Sequence, residues 1–218
     1  MTDRVTILRR PWAIAGYGAT AALAVYSALL LVLEWRTSQD VARLYMTDIE
    51  GPVRFYAINT TLSVFLLGAT GLLFLVCSLC HEDREPRAVW FYLSQWAVFG
   101  YLAFDDRFKV HESIGWRLEI GDHFVLLSVV ALEVALVFRY REILRPIPWA
   151  REFLLGGTVL TGVMFIFDAL VPHDMVLRLS IEDLAKSWAA FLFLCFAWAC
   201  LRHHLGELKA GAQRATES

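Results

Sequence analysis

Residues 11–33 read P-W-A-I-A-G-Y-G-A-T-A-A-L-A-V-Y-S-A-L-L-L-V-L, 23 positions without a charge. As a helix this run is about 34 Å long, enough to cross a hydrocarbon core of about 30 Å. Arg4, Arg9 and Arg10 precede it, as basic residues precede the apolar part of a signal peptide. The run is longer than such an apolar region, however, and no small-x-small cleavage site follows it. It reads as a retained transmembrane helix.

Working outward, five further apolar runs can cross a bilayer, giving spans at about 11–34, 54–80, 88–105, 122–140, 152–172 and 181–202. Each must be helical, because lipid offers no partner for a free N–H or C=O. The composition agrees: 58% of the 218 residues are hydrophobic and 19% charged, with a mean hydropathy of +0.52. A water-soluble domain of this length cannot bury so much apolar surface in one core. The fold class expected is therefore all-α, a polytopic membrane bundle of six transmembrane helices in one domain. A net charge of −2 excludes a nucleic-acid binder, which needs a basic face.

Lys and Arg set the orientation. If the chain starts inside, the inner connections hold Arg4, Arg9, Arg10, Arg84, Arg87, Arg139, Arg141, Arg145, Arg151, Arg202, Lys209 and Arg214. The outer ones hold Arg36, Arg43, Arg54, Arg107, Lys109, Arg117 and Arg178. Twelve against seven places both termini in the cytoplasm. The tail after Leu205, rich in small and polar residues, is expected to fray.

The outer side gathers metal-ligand and acid–base residue types. Residues 104–123, F-D-D-R-F-K-V-H-E-S-I-G-W-R-L-E-I-G-D-H, carry Asp105, Asp106, His111, Glu112, Asp122 and His123. Asp48, Glu50, Asp168, His173, Asp174, Glu182 and Asp183 lie on the same side. Short connections make helices 3–4 and 5–6 antiparallel neighbours, so their outer ends can converge on one cavity. Imidazoles with carboxylates suit zinc with an open position, or non-haem iron. On a continuous helix Asp105 and Glu112 share a face but stand about 10 Å apart, and Asp106 and His111 point about 140° apart. One ion can use this segment only if the helix breaks near Arg107. The ligand set expected is Asp106, His111, His123, His173 and Asp183 around a divalent metal, zinc or alternatively iron. Glu112 or Asp105 would be the general base. Singly, each of these residues also fits a solvated charge paired with Arg107, Lys109, Arg117 or Arg178.

Asp168 is costly at its depth without a partner. Lys186 stands three residues from Asp183, in reach for an ion pair on one helix. Glu133, alone in V-V-A-L-E-V-A-L-V, reads either as part of a proton path or as a side chain bonded to a neighbouring helix. On the inner side C-S-L-C-H at 77–81 matches the haem-attachment spacing, but covalent haem attachment belongs outside. Cys77, Cys80, Cys195 and Cys200 lie in apolar runs and read as buried thiols. A cytoplasmic Cys/His metal site, with His203 and His204, is the alternative.

The acidic-Gly-Pro turn D-I-E-G-P-V-R at 48–54, the Asp-Asp-x4-His-Glu motif D-D-R-F-K-V-H-E at 105–112, and Glu182-Asp183 opening the last helix resemble a group of uncharacterised bacterial polytopic membrane proteins. The resemblance spans most of the chain and implies a bacterial inner-membrane location and a shared site, but no activity. The site alone is similar to that of the alkaline ceramidase-like membrane hydrolases, which hold zinc through His and Asp at helix ends; this chain lacks their motif order and one helix.

The function expected is a metal-dependent integral-membrane hydrolase acting on a lipid or other apolar substrate at the outer leaflet. Membrane lipid is the partner, with Asp168, Lys186 and Glu133 supporting the site or a proton path. A non-haem iron oxidoreductase, and a metal- or proton-coupled transporter or accessory subunit, are the alternatives.

Overall fold

The computed structural model describes residues 3–46, 57–81, 85–172, 175 and 177–217. Asp48, Glu50, the Gly51-Pro52 turn, Arg54, Arg84, His173 and Asp174 lie outside the described residues. Every regular element among those described is helical. In chain order they are α1 (Asp3–Arg36), α2 (Gln39–Met46), α3 (Ile58–Leu79), α4 (Pro86–Phe108), α5 (Val110–Leu118), α6 (Asp122–Arg139), α7 (Arg141–Leu144), α8 (Ala150–Leu170) and α9 (Arg178–Glu217).

Six long helices thus stand where six apolar runs were read. By length and composition four of them can cross a membrane: Gly16–Arg36, Ile58–Leu79, Ala150–Asp168 and Arg178–Thr216. Counting α5 with α6, which are bent by 114° at their junction, would make five. Within α4, Gln95, Asp105, Asp106 and Arg107 interrupt the apolar sequence. The expected frayed tail is instead helical to Glu217. Leu205, Glu207, Leu208, Lys209, Ala210, Ala212, Gln213 and Arg214 are all strong helix formers, which outweighs the cost of Gly206 and Gly211.

The centre is a layer of α3, α4 and α9, with α8 against α9. Their buried positions recur at three- and four-residue spacing, for example Leu67, Thr70, Phe74 and Cys77 on α3 and Ala88, Phe91, Gln95 and Phe99 on α4. That period puts one stripe of each helix inward. Phe74 is the hub, its ring 5.7 Å from Phe99, 6.0 Å from Tyr92 and 5.2 Å from Phe196. Large apolar side chains such as Leu29, Phe65, Phe138 and Leu155 stay exposed on the outer faces. Patches of this kind suit contact with lipid.

Small residues set how closely the helices approach, as they do where no hydrophobic force drives helices together. A Cβ on Gly71 would lie 3.4 Å from the Gly100 nitrogen and 3.5 Å from the Trp96 carbonyl oxygen, both backbone atoms of α4. Gly68, one turn earlier, has nothing within 4 Å of such a Cβ. Gly71→Leu should therefore cost about 1–3 kcal/mol by forcing α3 from α4, whereas Gly68→Leu should be close to neutral. Thermal unfolding of the two variants in detergent checks this; equal midpoints would refute the close crossing.

Candidate functional site

α4 ends because Lys109 turns left-handed, at φ 52°. A non-glycine residue there costs about 1–2 kcal/mol, and Asp105 offsets it. Its backbone oxygen accepts the Lys109 N–H at 2.7 Å. Its side chain Oδ1 accepts the His111 N–H, also at 2.7 Å, which makes the carboxylate a cap for α5. Oδ2 lies 2.6 Å from His111 Nδ1. The Tyr101 hydroxyl donates to Oδ1 at 3.3 Å. Asp105 is 3% exposed. A carboxylate on Nδ1 fixes the proton there and leaves Nε2 as the atom through which the imidazole can act.

One residue further on, Asp106 faces α9. Lys186 Nζ donates to Asp106 Oδ1 at 2.8 Å and stands 3.7 Å from Asp183 Oδ1. Ser63 of α3 donates to Asp106 Oδ2. Asn59 of α3 donates to the Asp183 backbone oxygen at 3.1 Å and accepts from Ser187 at 2.7 Å. Oδ2 of Asp183 is buried and has no hydrogen-bond partner among the described residues. An ammonium between two carboxylates thus ties α4 to α9.

The start of α9 is fixed by two buried charges. Glu34 of α1 accepts the N–H of Leu177 at 3.1 Å and of Ser180 at 3.2 Å, along with the Ser180 hydroxyl. An anion there satisfies amides that have no intrahelical acceptor. Arg178 closes the end of α8, donating to the backbone oxygens of Phe167, Asp168 and Val171. Its guanidinium also meets Glu182 at 3.2 Å and Asp168 at 3.6 Å.

These helix ends surround a cavity of about 320 Å³. Asp105, Asp106, His111, Glu112, Asp168, Glu182, Asp183, Lys109 and Lys186 line its polar side, and Leu67, Leu102, Leu126, Met164 and Phe193 its apolar side. A second, apolar cavity of about 100 Å³ shares Leu102, Leu126, Thr161, Met164 and Phe193 with it and continues between α6 and α8. Glu133 reaches the wall of this slot, held by Gln95 of α4 at 2.9 Å. Of its two readings, the bond to a neighbouring helix is what the structure displays.

The expected ligand set is only partly brought together. Asp106, His111 and Asp183 share the cavity, but Lys186 stands between the two aspartates and Asp105 holds His111 Nδ1. The helix does break near Arg107, at Lys109, and across that break the partner of His111 is Asp105. His123 is exposed beside Phe124 and does not line the cavity. Glu112 sits at the mouth, 3.1 Å from Lys109. Among the described residues, the three donors that come within metal-binding distance of one another are His203, His204 and Glu207, at the other end of α9. Sequence reasoning missed Glu34, Asn59, Ser63 and Tyr101. Glu34 had a readable signal, a carboxylate directly after 23 uncharged residues; the other three are ordinary polar residues within helices.

Fold and cavity together define a class, an α-helical membrane-protein bundle with a charged cavity where its helix ends meet. Within that class the chain belongs to the family described as Domain of unknown function (DUF8692), whose pattern matches residues 16–201. No curated protein and no solved structure matches the chain.

If Lys186 holds the two aspartates, Lys186→Met should destabilise the protein by about 3 kcal/mol, the usual cost of leaving a buried charge alone. Adding Asp106→Asn should recover a large part of that loss. Thermal midpoints of wild type, both single variants and the double variant form the cycle that measures the coupling. Additive effects would refute it.

Proposed function

We propose that this chain is an integral-membrane hydrolase in which the Asp105–His111 pair activates water against an amphipathic substrate. One observation carries the reading: an imidazole oriented by a buried carboxylate stands at a polar cavity that runs directly into an apolar slot. A substrate with its head at His111 and a hydrocarbon chain between α6 and α8 fits that shape. The chemistry follows from the same groups. Nε2 of His111 takes a proton from water, the oxygen attacks an ester or amide carbonyl, and the bond to the leaving group breaks. The imidazolium then returns the proton to the leaving group, while Asp105 steadies the charged ring.

The lining also selects the head group. Six carboxylates, from Asp105, Asp106, Glu112, Asp168, Glu182 and Asp183, outnumber the three cations paired with them, Lys109, Lys186 and Arg178. An excess of negative charge at close range repels anions. The head group is therefore uncharged or cationic, not a phosphate monoester.

A metal-assisted version has less support at this cavity, since an ion bound to Asp106 and Asp183 would have to displace the Lys186 ammonium. The iron oxidoreductase reading shares that difficulty. Transport through Glu133 would need polar groups joining both faces, whereas Leu102, Val130, Met164 and Phe193 wall the slot beside it. The placement in the membrane is part of the proposal. Six spans formed by α1, α3, α4, α6, α8 and α9 are supported by the length of α4, 23 residues. The excess of Lys and Arg supports both termini in the cytoplasm, and so the cavity at the outer leaflet. The resemblance of the motifs supports a bacterial inner membrane.

Purified protein incubated with a total lipid extract in water enriched in oxygen-18 tests the reading by mass spectrometry. Wild type should put one labelled oxygen into the product of an uncharged or amine-headed lipid. His111→Ala and Asp105→Asn should lower that rate by about 10²–10⁴-fold, the range for losing a general base. Turnover that survives in both variants, or no labelled product with wild type, would exclude it.

A further inference from the structure

At the far end of α9, about 30 Å along the helix from Asp183, a second polar cluster has no part in the proposed hydrolysis. His203, His204 and Glu207 fall within five residues. His203 and Glu207 are four apart, and His204 and Glu207 three apart, so their side chains meet over one turn. His203 Nε2 lies 3.4 Å from Glu207 Oε1, and His204 Nδ1 lies 3.3 Å from Oε2. The donor atoms all come within 4.8 Å of one another. Donors bound to one zinc-like ion at about 2.0–2.1 Å stand roughly 3.3 Å apart.

The surroundings of His204 hold its ring in place for such a role. Its ring is buried, and its Nε2 is 2.6 Å from the Tyr92 hydroxyl. That contact fixes the ring so that its other nitrogen, Nδ1, is turned towards Glu207. With the Nε2 proton held by the phenol oxygen, Nδ1 can offer its lone pair to an ion shared with the Glu207 carboxylate. A metal ion there would take the place of the proton that otherwise joins Nδ1 to the carboxylate. Ligating histidines characteristically donate their other N–H to a fixed acceptor in just this way. The His81 ring packs edge-on to His204, with centroids 4.2 Å apart, and holds it from a third side. The cluster opens on a groove of about 1000 Å³ that also includes Cys80, Glu85 and Arg202, so an ion has access from solvent.

We propose that His203 Nε2, His204 Nδ1 and the Glu207 carboxylate bind one divalent first-row transition-metal ion, with Tyr92 orienting His204. Two imidazoles and a carboxylate match the preferences of zinc and iron(II), and three protein donors leave a coordination position facing the groove. The donors lie beyond the matched family range, which ends at residue 201. The site is separate from the Asp105–His111 cavity and stands or falls without it.

Chelator-treated, tag-free, full-length protein in detergent is titrated with Co2+. One equivalent should bind, give visible ligand-field bands and be displaced by Zn2+. Glu207→Gln and His203→Ala, both at side chains with solvent contact, should abolish the bands while the elution volume and helical circular dichroism stay unchanged. Tyr92→Phe should weaken binding by about 10- to 100-fold, and His111→Ala should leave it intact. No uptake at equimolar Co2+, or bands that persist in both Glu207→Gln and His203→Ala, would overturn the proposal in favour of a plain Glu207–imidazolium ion pair or adventitious binding elsewhere.

Discussion

The Lys186 ammonium, set between Asp106 and Asp183, is the contact on which the cavity end of the bundle depends. A charge taken out of water is tolerated only when paired and hydrogen-bonded. Asp106 brings α4 to α9 to meet that need, and Ser63 adds α3 by donating to the second oxygen of Asp106. The three central helices are therefore registered by one polar contact as well as by the apolar stripes below it. The same contact fills the position at which a metal ion would have used the two aspartates.

Helix ends pose a related problem. Four N–H groups at one end of a helix and four C=O groups at the other have no partner within it, and the cost of leaving them bare rises as water recedes. Glu34 meets the amides opening α9, Arg178 meets the carbonyls closing α8, and Asp105 meets an amide of α5. Asp105 then does a second thing with its other oxygen, holding His111 Nδ1. The orientation of the proposed base thus follows from the way the α4–α5 break is capped. Structural and chemical roles share one carboxylate here.

The two ends of the molecule are chemically distinct. The acidic cavity is separated from the histidine cluster by the ring layer of Phe74, Phe99 and Phe196, all buried. Tyr92 sits at the lower margin of that layer, with its ring against Phe74 and its hydroxyl on His204. An aromatic core of this kind serves the packing of α3, α4 and α9, and its edge orients a polar group at the end away from the acidic cavity.

By itself the sequence determined the helical class, because runs such as 11–33 leave the backbone no partner but itself. It also located the six long helices found among the described residues and pointed to 104–123, of which Asp105, Asp106, His111 and Glu112 line the cavity, since so many charges in an apolar chain need a shared solution. Which charges satisfy one another was decided only in three dimensions. Asp105 and Asp106 are adjacent and chemically identical, yet the 100° between them sends one to His111 and the other to Lys186. The break at Lys109 that permits the first pairing depends on the cap it creates, a cooperative event no local pattern encodes. Glu34 and Ser180 are 146 positions apart, as are no two residues that periodicity can relate. His203, His204 and Glu207 were legible as neighbours, but the buried Tyr92 that holds the His204 ring lies on another helix, and only the folded chain brings it there.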